Sequence, residues 1–244
     1  MKLFYDFHLH SCLSPCGDNE MTPYNLVNMA KLGGLDTIAL TDHNTCLNCP
    51  AALKVGKKAG ITVVPGMELC TSEEVHMICL LPDLERALDF SAYVAERMPA
   101  IKNRPDIFGD QFIMDAQDRV TGHHEQLLMA ASSISISHVV KTLASFGGVC
   151  YPAHIDRPSY SVLSNLGSIT PEMGFGAVEL TAAADLADLF KQHPILEAMF
   201  IVKGSDAHRL VDIGDARHTI DLKKNDAESV VDFFNKLLGE NPQS

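Results

Sequence analysis

Short apolar runs that end in histidine or carboxylate residues constrain this chain more than any other feature of its sequence. Lys2 to Tyr5 reads as a buried strand and leads directly into Asp6-Phe7-His8-Leu9-His10. The two-residue period of a strand puts His8 and His10 on one face, where two imidazoles can hold one metal ion. An isolated H-x-H serves equally well as a pair of hydrogen-bonded core histidines. Recurrence tips the balance. The run Thr37 to Leu40 ends at Asp42-His43, and Ile61 to Val64 delivers Glu68. Val149 to Tyr151 leads to His154, and Phe200 to Val202 leads to Asp206-Ala207-His208. Val75 to Leu81 is a further strand, with His76 at its beginning.

Between these strands lie helices with recognisable ends. Thr22-Pro23 reads as an N-cap followed by proline at the first helical position, and Gly33-Gly34 closes that helix. Ala51 to Ala59 is a second helix, stopped by Gly60. Alternating strands and helices predict an α/β fold with a mostly parallel sheet. Ligand types repeating at strand C-termini point to a barrel, whose site lies on that face. An open doubly wound sheet would use one switch point, and no G-x-G-x-x-G follows the first strand. From about 83 to 147 the rhythm breaks, and the segment reads as a mainly helical insertion on the catalytic face. Within it, His123-His124 reads as an exposed polar turn. Val178-Glu179-Leu180 is another strand, His218 to Leu222 an edge strand, and Asp226 to Leu238 a C-terminal amphipathic helix. The expectation is a single domain over residues 1–244.

A hydrophobic content of 46% over 244 residues suits one large core. The net charge of −12 argues against extended nucleic-acid binding, because neutralising phosphates needs clustered Lys and Arg. A small anionic substrate remains compatible, since bound cations reverse the local sign. No apolar run reaches membrane-spanning length, and no signal-peptide pattern precedes the first strand, which predicts a cytoplasmic protein without membrane partners. Seven cysteines, an odd number, fit reduced thiols. Cys12, Cys16, Cys46 and Cys49 fall in loops after ligand-bearing strands, so they could meet as a four-thiolate zinc or iron–sulfur site. The favoured alternative is that they are small buried thiols, and Cys70, Cys79 and Cys150 read as core.

Taken in order, His8-x-His10, Thr41-Asp42-His43, Gly66-x-Glu68, His154 and Ser205-Asp206-Ala207-His208 resemble the motifs of the polymerase and histidinol phosphatase (PHP) family. The resemblance implies a distorted (β/α)7 barrel with up to three divalent metals at its C-terminal face, and hydrolysis of phosphate esters. It implies that His8, His10, Glu68 and Asp206 hold the first metal. Glu68 bridges to a second, completed by His76 and His154. His43 and His208 hold a third, together with a residue of the first loop. Asp18 is the expected loop ligand, although it lies further from His10 than the loop residue of many members.

Carboxylates and neutral imidazoles suit Zn, Mn or Fe, and a bridging glutamate brings two ions close enough to share one oxygen. The expected reaction is attack of a metal-bound hydroxide on phosphorus, with Asp206 or His208 moving the proton. Arg157 and Arg209 follow proposed ligands closely and are the expected phosphate-binding residues. The competing role for each is a surface pair with a nearby aspartate. The resulting expectation is a phosphoesterase for a small phosphorylated metabolite or nucleotide. A metal-dependent amide or C–N hydrolase and a non-enzymatic metal-binding regulatory module are the alternatives. Oligomeric state has no signature in the sequence.

Overall fold

The computed structural model describes residues 1–239. The tail of the expected domain, 240–244, lies outside the described residues. The first half runs β1 (Lys2–Leu9), α1 (Pro23–Leu32), β2 (Thr37–Leu40), α2 (Cys49–Ala59), β3 (Thr62–Cys70) and β4 (His76–Leu80). Next come α3 (Leu84–Ala95), α4 (Pro105–Phe108), β5 (Phe112–Met114), β6 (Val120–His123), α5 (Ile136–Ser145) and β7 (Val149–Pro152). The remainder is α6 (Val162–Leu166), β8 (Ala177–Leu180), α7 (Leu186–Gln192), β9 (Phe200–Lys203), β10 (Thr219–Asp221) and α8 (Ala227–Gly239). None of the described helices is long and apolar enough to cross a membrane.

Local chemistry accounts for the helix ends. The Thr22 hydroxyl accepts from the Asn25 amide at 3.2 Å, and Pro23 occupies the first turn of α1. Gly60 ends α2 at φ 71, a left-handed position that glycine takes without a Cβ penalty.

The main sheet has the order β10-β1-β2-β3-β4-β7. β1, β2 and β3 are parallel, whereas β4 runs antiparallel to both β3 and β7. The turn Thr71–Val75 is too short for a crossover, so β4 must fold back as a hairpin. That reversal explains why His76 stands at a strand's beginning. An antiparallel strand starts on the side where its parallel neighbours end.

The expected (β/α)7 ring is incomplete as a hydrogen-bonded barrel. The parallel pair β8–β9 forms a separate sheet. Single links join it to the rest: the Ile155 amide donates to the Glu179 carbonyl at 2.9 Å, and Leu9 bridges Ala207. The sheet therefore curls part-way into a barrel, and side chains span the gaps on either side of β8–β9.

Leu3, Tyr5 and Phe7 alternate along β1 into one core cluster with Val64, Ile78, Tyr151 and Val202. Val230, Val231 and Phe234 of α8 complete it. Phe234 lies 6.1 Å from Phe7 and 5.1 Å from Tyr151, ring to ring. Fully burying one such side chain contributes about 1.5–3 kcal/mol. This cluster gives the site a rigid floor.

The 83–147 segment departs from the mainly helical expectation. α3 and α5 flank an irregular stretch carrying the short β5–β6 hairpin. Side-chain amides after β2 organise that stretch. Asn44 Nδ2 donates to the Leu128 and Ala130 carbonyls at 2.6 and 2.9 Å, and Asn48 Nδ2 to the Phe112 carbonyl at 3.1 Å. His123 is exposed beside Phe112 and His124 is half-buried, both away from the cage described next.

Candidate metal centre

Glu68 sits near the end of β3, almost fully buried, with histidines on every side. Its Oε1 lies 2.9 Å from His76 Nδ1, 3.1 Å from His154 Nε2 and 3.3 Å from His8 Nε2. Its Oε2 lies 3.0 Å from His43 Nδ1 and 3.3 Å from His10 Nε2. Asp206 enters from the loop after β9, with Oδ1 at 3.1 Å from His8 Nε2 and 3.2 Å from His10 Nε2. Three sets of ligand atoms converge closely enough to share a cation: His8, His10, Glu68 and Asp206; His43, Glu68 and His76; and His10, His43 and His208.

The tautomers fit a metal cage better than a hydrogen-bonded core. His8 Nδ1 lies 2.8 Å from Glu179 Oε1, and His10 Nδ1 lies 2.9 Å from Ser14 Oγ. A carboxylate at His8 Nδ1 holds the proton there, which turns the Nε2 lone pair inward. The two Nε2 atoms face each other at 3.1 Å. Asp206 Oδ1 and His43 Nδ1 are buried without a hydrogen bond of acceptable geometry. Buried polar atoms rarely stay unpaired, and divalent cations would satisfy this set.

Charges without metal reflect the same crowding. Burial opposes the Glu68 charge, yet the His76, His8 and His43 rings hold its carboxyl well below the usual range. Burial likewise opposes protonation of His10 and His43. Asp206 and Glu68 at His10, and Glu68 and Cys16 at His43, nevertheless raise each ring to about 9. His208 goes the other way, to about 4, through burial and its position beside His10.

Part of the site was invisible to motif reasoning. Glu179 holds His8, and its Oε1 also accepts the His154 amide at 3.2 Å. Gly204 admits it: a Cβ there would meet Glu179 Oε2 at 2.5 Å. The available signal was a carboxylate inside the fully buried strand Ala177-Val178-Glu179-Leu180. Asp42 accepts the Ser11 amide, the Ser11 hydroxyl and the Ser14 hydroxyl at 2.7, 2.6 and 2.8 Å, so it positions His10 through Ser14. Asp6 accepts the His8 and Ser205 amides at 3.2 and 3.1 Å, and burial raises its carboxyl to about 6. His154 and Asp206 adopt φ 28 and φ 51, left-handed conformations that are strained for non-glycine residues.

Two expected residues are not brought to the cage. Asp18 is exposed, and its carboxylate accepts the Glu20 amide at 2.8 Å. Its loop turns back at Gly17, which carries the Asp18 backbone to the His208 carbonyl and leaves the side chain outside. Arg209 pairs with Asp212 at 2.8 Å on the surface. Arg157, by contrast, reaches Asp206 Oδ2 at 2.6 Å while its side chain stays 43% exposed. The four loop cysteines do not assemble. Cys46 and Cys49 are buried against the Gly66 carbonyl, and Cys16 is exposed beside His208. Among the described residues these four thiols share no ligand group.

Comparisons agree with the fold. A 5′-3′ exoribonuclease Rnm of Salmonella typhimurium is 33% identical over 105 residues, covering 40% of this chain and 35% of that protein. The chain spans less than two thirds of the length of the relatives it matches. The lesion-specific endonuclease Q of Pyrococcus furiosus superposes with a TM-score of 0.70 at 19% identity, over 97% of this chain and 56% of the endonuclease. A metal-dependent phosphoesterase, so described, from Bifidobacterium adolescentis gives a TM-score of 0.61 at 18% identity, over 96% of both chains.

These relatives correct the expectation drawn from charge, namely a small phosphorylated partner without extended nucleic-acid binding. Three of the matched sequences are named exoribonucleases, and one endonuclease Q structure holds a 27-mer duplex. Net charge is a global sum and says little about one groove. Buried acids such as Asp42 and Glu68 count toward −12 while already engaged by the Ser11, Ser14 and His76 side chains. The model of the PHP domain matches residues 6–241, and the chain belongs to that family.

Proposed function

We propose that this protein is a metal-dependent phosphodiesterase that cleaves nucleic acid at the Glu68-centred cage. One observation carries the reading. The cage opens on a cavity of about 370 Å³ that Arg157, Lys203 and Arg217 line together with His154 and the carboxylates Asp6, Glu179, Asp206, Asp212 and Asp215. Once bound divalent ions offset the neighbouring acids, these three cationic side chains suit phosphate oxygens better than an uncharged amide. The size lies within the usual range for a small ligand or one residue of a longer one.

His8, His10, Glu68 and Asp206 would hold one divalent ion, and His76 and His154 would share a second with Glu68. Such ions supply an activated water and offset phosphoryl charge. The protein's own groups then position the substrate. Arg157 holds Asp206 and lines the cavity, where its guanidinium can grip a non-bridging oxygen. Lys203, fixed by donation to the Thr181 carbonyl at 2.7 Å, offers a second positive contact. His8 and His10, together with the Arg157 pairing, keep Asp206 ionised, which suits a ligand rather than a proton carrier. His208 Nδ1 lies 2.8 Å from the Asp206 carbonyl, which turns its Nε2 lone pair outward and suits a ligand rather than an acid.

The test is cleavage of end-labelled single-stranded RNA, single-stranded DNA and abasic duplex DNA by protein loaded with Mn or Zn. Phosphomonoesters and amides serve as comparison substrates. Turnover confined to monoesters or amides, with metal bound, would refute the reading.

A further inference from the structure

The outermost corner of the cage holds a residue of another chemical kind. Cys16 Sγ lies 3.1 Å from His208 Nε2, and the thiol also faces the His43 imidazole. The local turn forces this placement. The Ser14 amide donates to the Ser11 carbonyl at 3.1 Å and the Gly17 amide to the Ser14 carbonyl at 2.8 Å. A Cβ on Gly17 would meet the Ser11 carbonyl at 2.5 Å, so the loop doubles back tightly only because glycine follows Cys16. The Asp18 amide then pins the loop to the His208 carbonyl at 2.8 Å.

The partners point to a ligand independently of the thiol. His43 is only 4% exposed, and its Nδ1 faces Glu68 at 3.0 Å, which leaves the other ring nitrogen for the Cys16 side. His208 stacks on His10 with ring centres 4.3 Å apart, and the ligand atoms of His10, His43 and His208 gather within one cation's reach. Cys16 is also the one exposed cysteine of the seven. Burial pushes the thiols of Cys12, Cys70 and Cys150 up to about 12, which keeps them inert.

We propose that Cys16, rather than Asp18, completes a third cation site with His43 and His208. It rests on the reading of the Glu68 cage as a metal centre. A thiolate beside two imidazoles is a softer donor set than the carboxylate-rich inner sites, so this corner selects zinc over manganese or magnesium. Being the exposed edge of the cage, it exchanges its ion before the inner sites do.

Cobalt titration followed by absorption tests the assignment without reference to activity. Wild-type protein should show a thiolate-to-cobalt charge-transfer band in the near ultraviolet as the last equivalent binds. Cys16→Asp and Cys16→Ser should lose that band and keep the visible bands of the inner ions. Alkylation of native protein by iodoacetamide should modify Cys16 alone, and zinc should slow it by roughly tenfold or more. Asp18→Ala should match wild type in both measurements. Bound cobalt without the band, or alkylation indifferent to zinc, overturns the Cys16 assignment and leaves the inner cage standing. Loss of one equivalent in Asp18→Ala restores Asp18 as the ligand. Failure to bind any metal removes the cage reading and this site together.

Discussion

Replacing Glu179 by Gln separates the metal cage from the groups that aim it. Glu179 belongs to none of the three converging ligand sets. Its Oε1 lies 2.8 Å from His8 Nδ1, and both residues are essentially buried. Gln can still offer an oxygen to His8 and to the His154 amide, so the geometry should survive. The carboxylate charge does not survive, and with it goes the polarisation that makes His8 Nε2 a stronger donor. The new amide nitrogen would take the place of Oε2, which is already buried without a partner and close to Gly204. Loss of such an outer hydrogen bond typically weakens metal affinity ten- to a hundredfold. That corresponds to about 1.4–2.7 kcal/mol, at about 1.36 kcal/mol per decade. Competition with a chromophoric chelator at fixed pH measures it directly. Glu179→Ala should cost more, because it leaves the His8 N–H unsatisfied, a penalty of about 1–3 kcal/mol in folding stability. Glu179→Gln with affinity within twofold of wild type would show that Glu179 merely fills space.

Three further outcomes are expected. Glu68→Gln should lose most activity and metal while keeping its circular dichroism spectrum, because the floor of the barrel is separate from the site; near-normal turnover would exclude Glu68 as a shared ligand. Without metal, His10 and His43 are raised from 6.5 to about 9, so their contribution to stability is fully present below pH 6.5 and is lost as pH rises through about 9. The gain in melting temperature on adding zinc should therefore grow across that window, with protons released on binding; a gain independent of pH contradicts the charged cage. Arg157→Ala should lower kcat/KM by about ten- to a hundredfold with unchanged metal content, and Arg157→Lys should recover little, since an ammonium lacks the two-pronged grip. Wild-type kinetics in Arg157→Ala would return this residue to a purely structural pairing with Asp206.

Several features of this protein were legible in residue order. Strand periodicity placed His8 and His10 on one face, and the side chains do meet. Apolar runs ending in Asp42-His43, Glu68, His154 and Asp206-x-His208 located one rim of the curled sheet, because a parallel strand delivers its last residues to one side of the sheet. These patterns are local: they depend on the pleat and on which residue follows a buried run. The reversed direction of β4 was half visible, since His76 stood at the wrong end of its strand for a parallel sheet.

Other features depended on distance in space. Cys16 and Asp18 are two residues apart in one loop, and both can ligate metal. Only the turn at Gly17 decides that the thiol faces His208 and the carboxylate faces solvent. Arg157 and Arg209 looked alike in sequence, yet one meets Asp206 at the cage and the other meets Asp212 outside it. Glu179 lies 171 residues from the histidine it orients. The sequence by itself determined which strands carry most of the cage residues, because alternation along a strand needs no partner. Tertiary structure alone decided which donors converge, which tautomers they adopt and where the barrel stays open, because those follow from packing between segments that no local period connects.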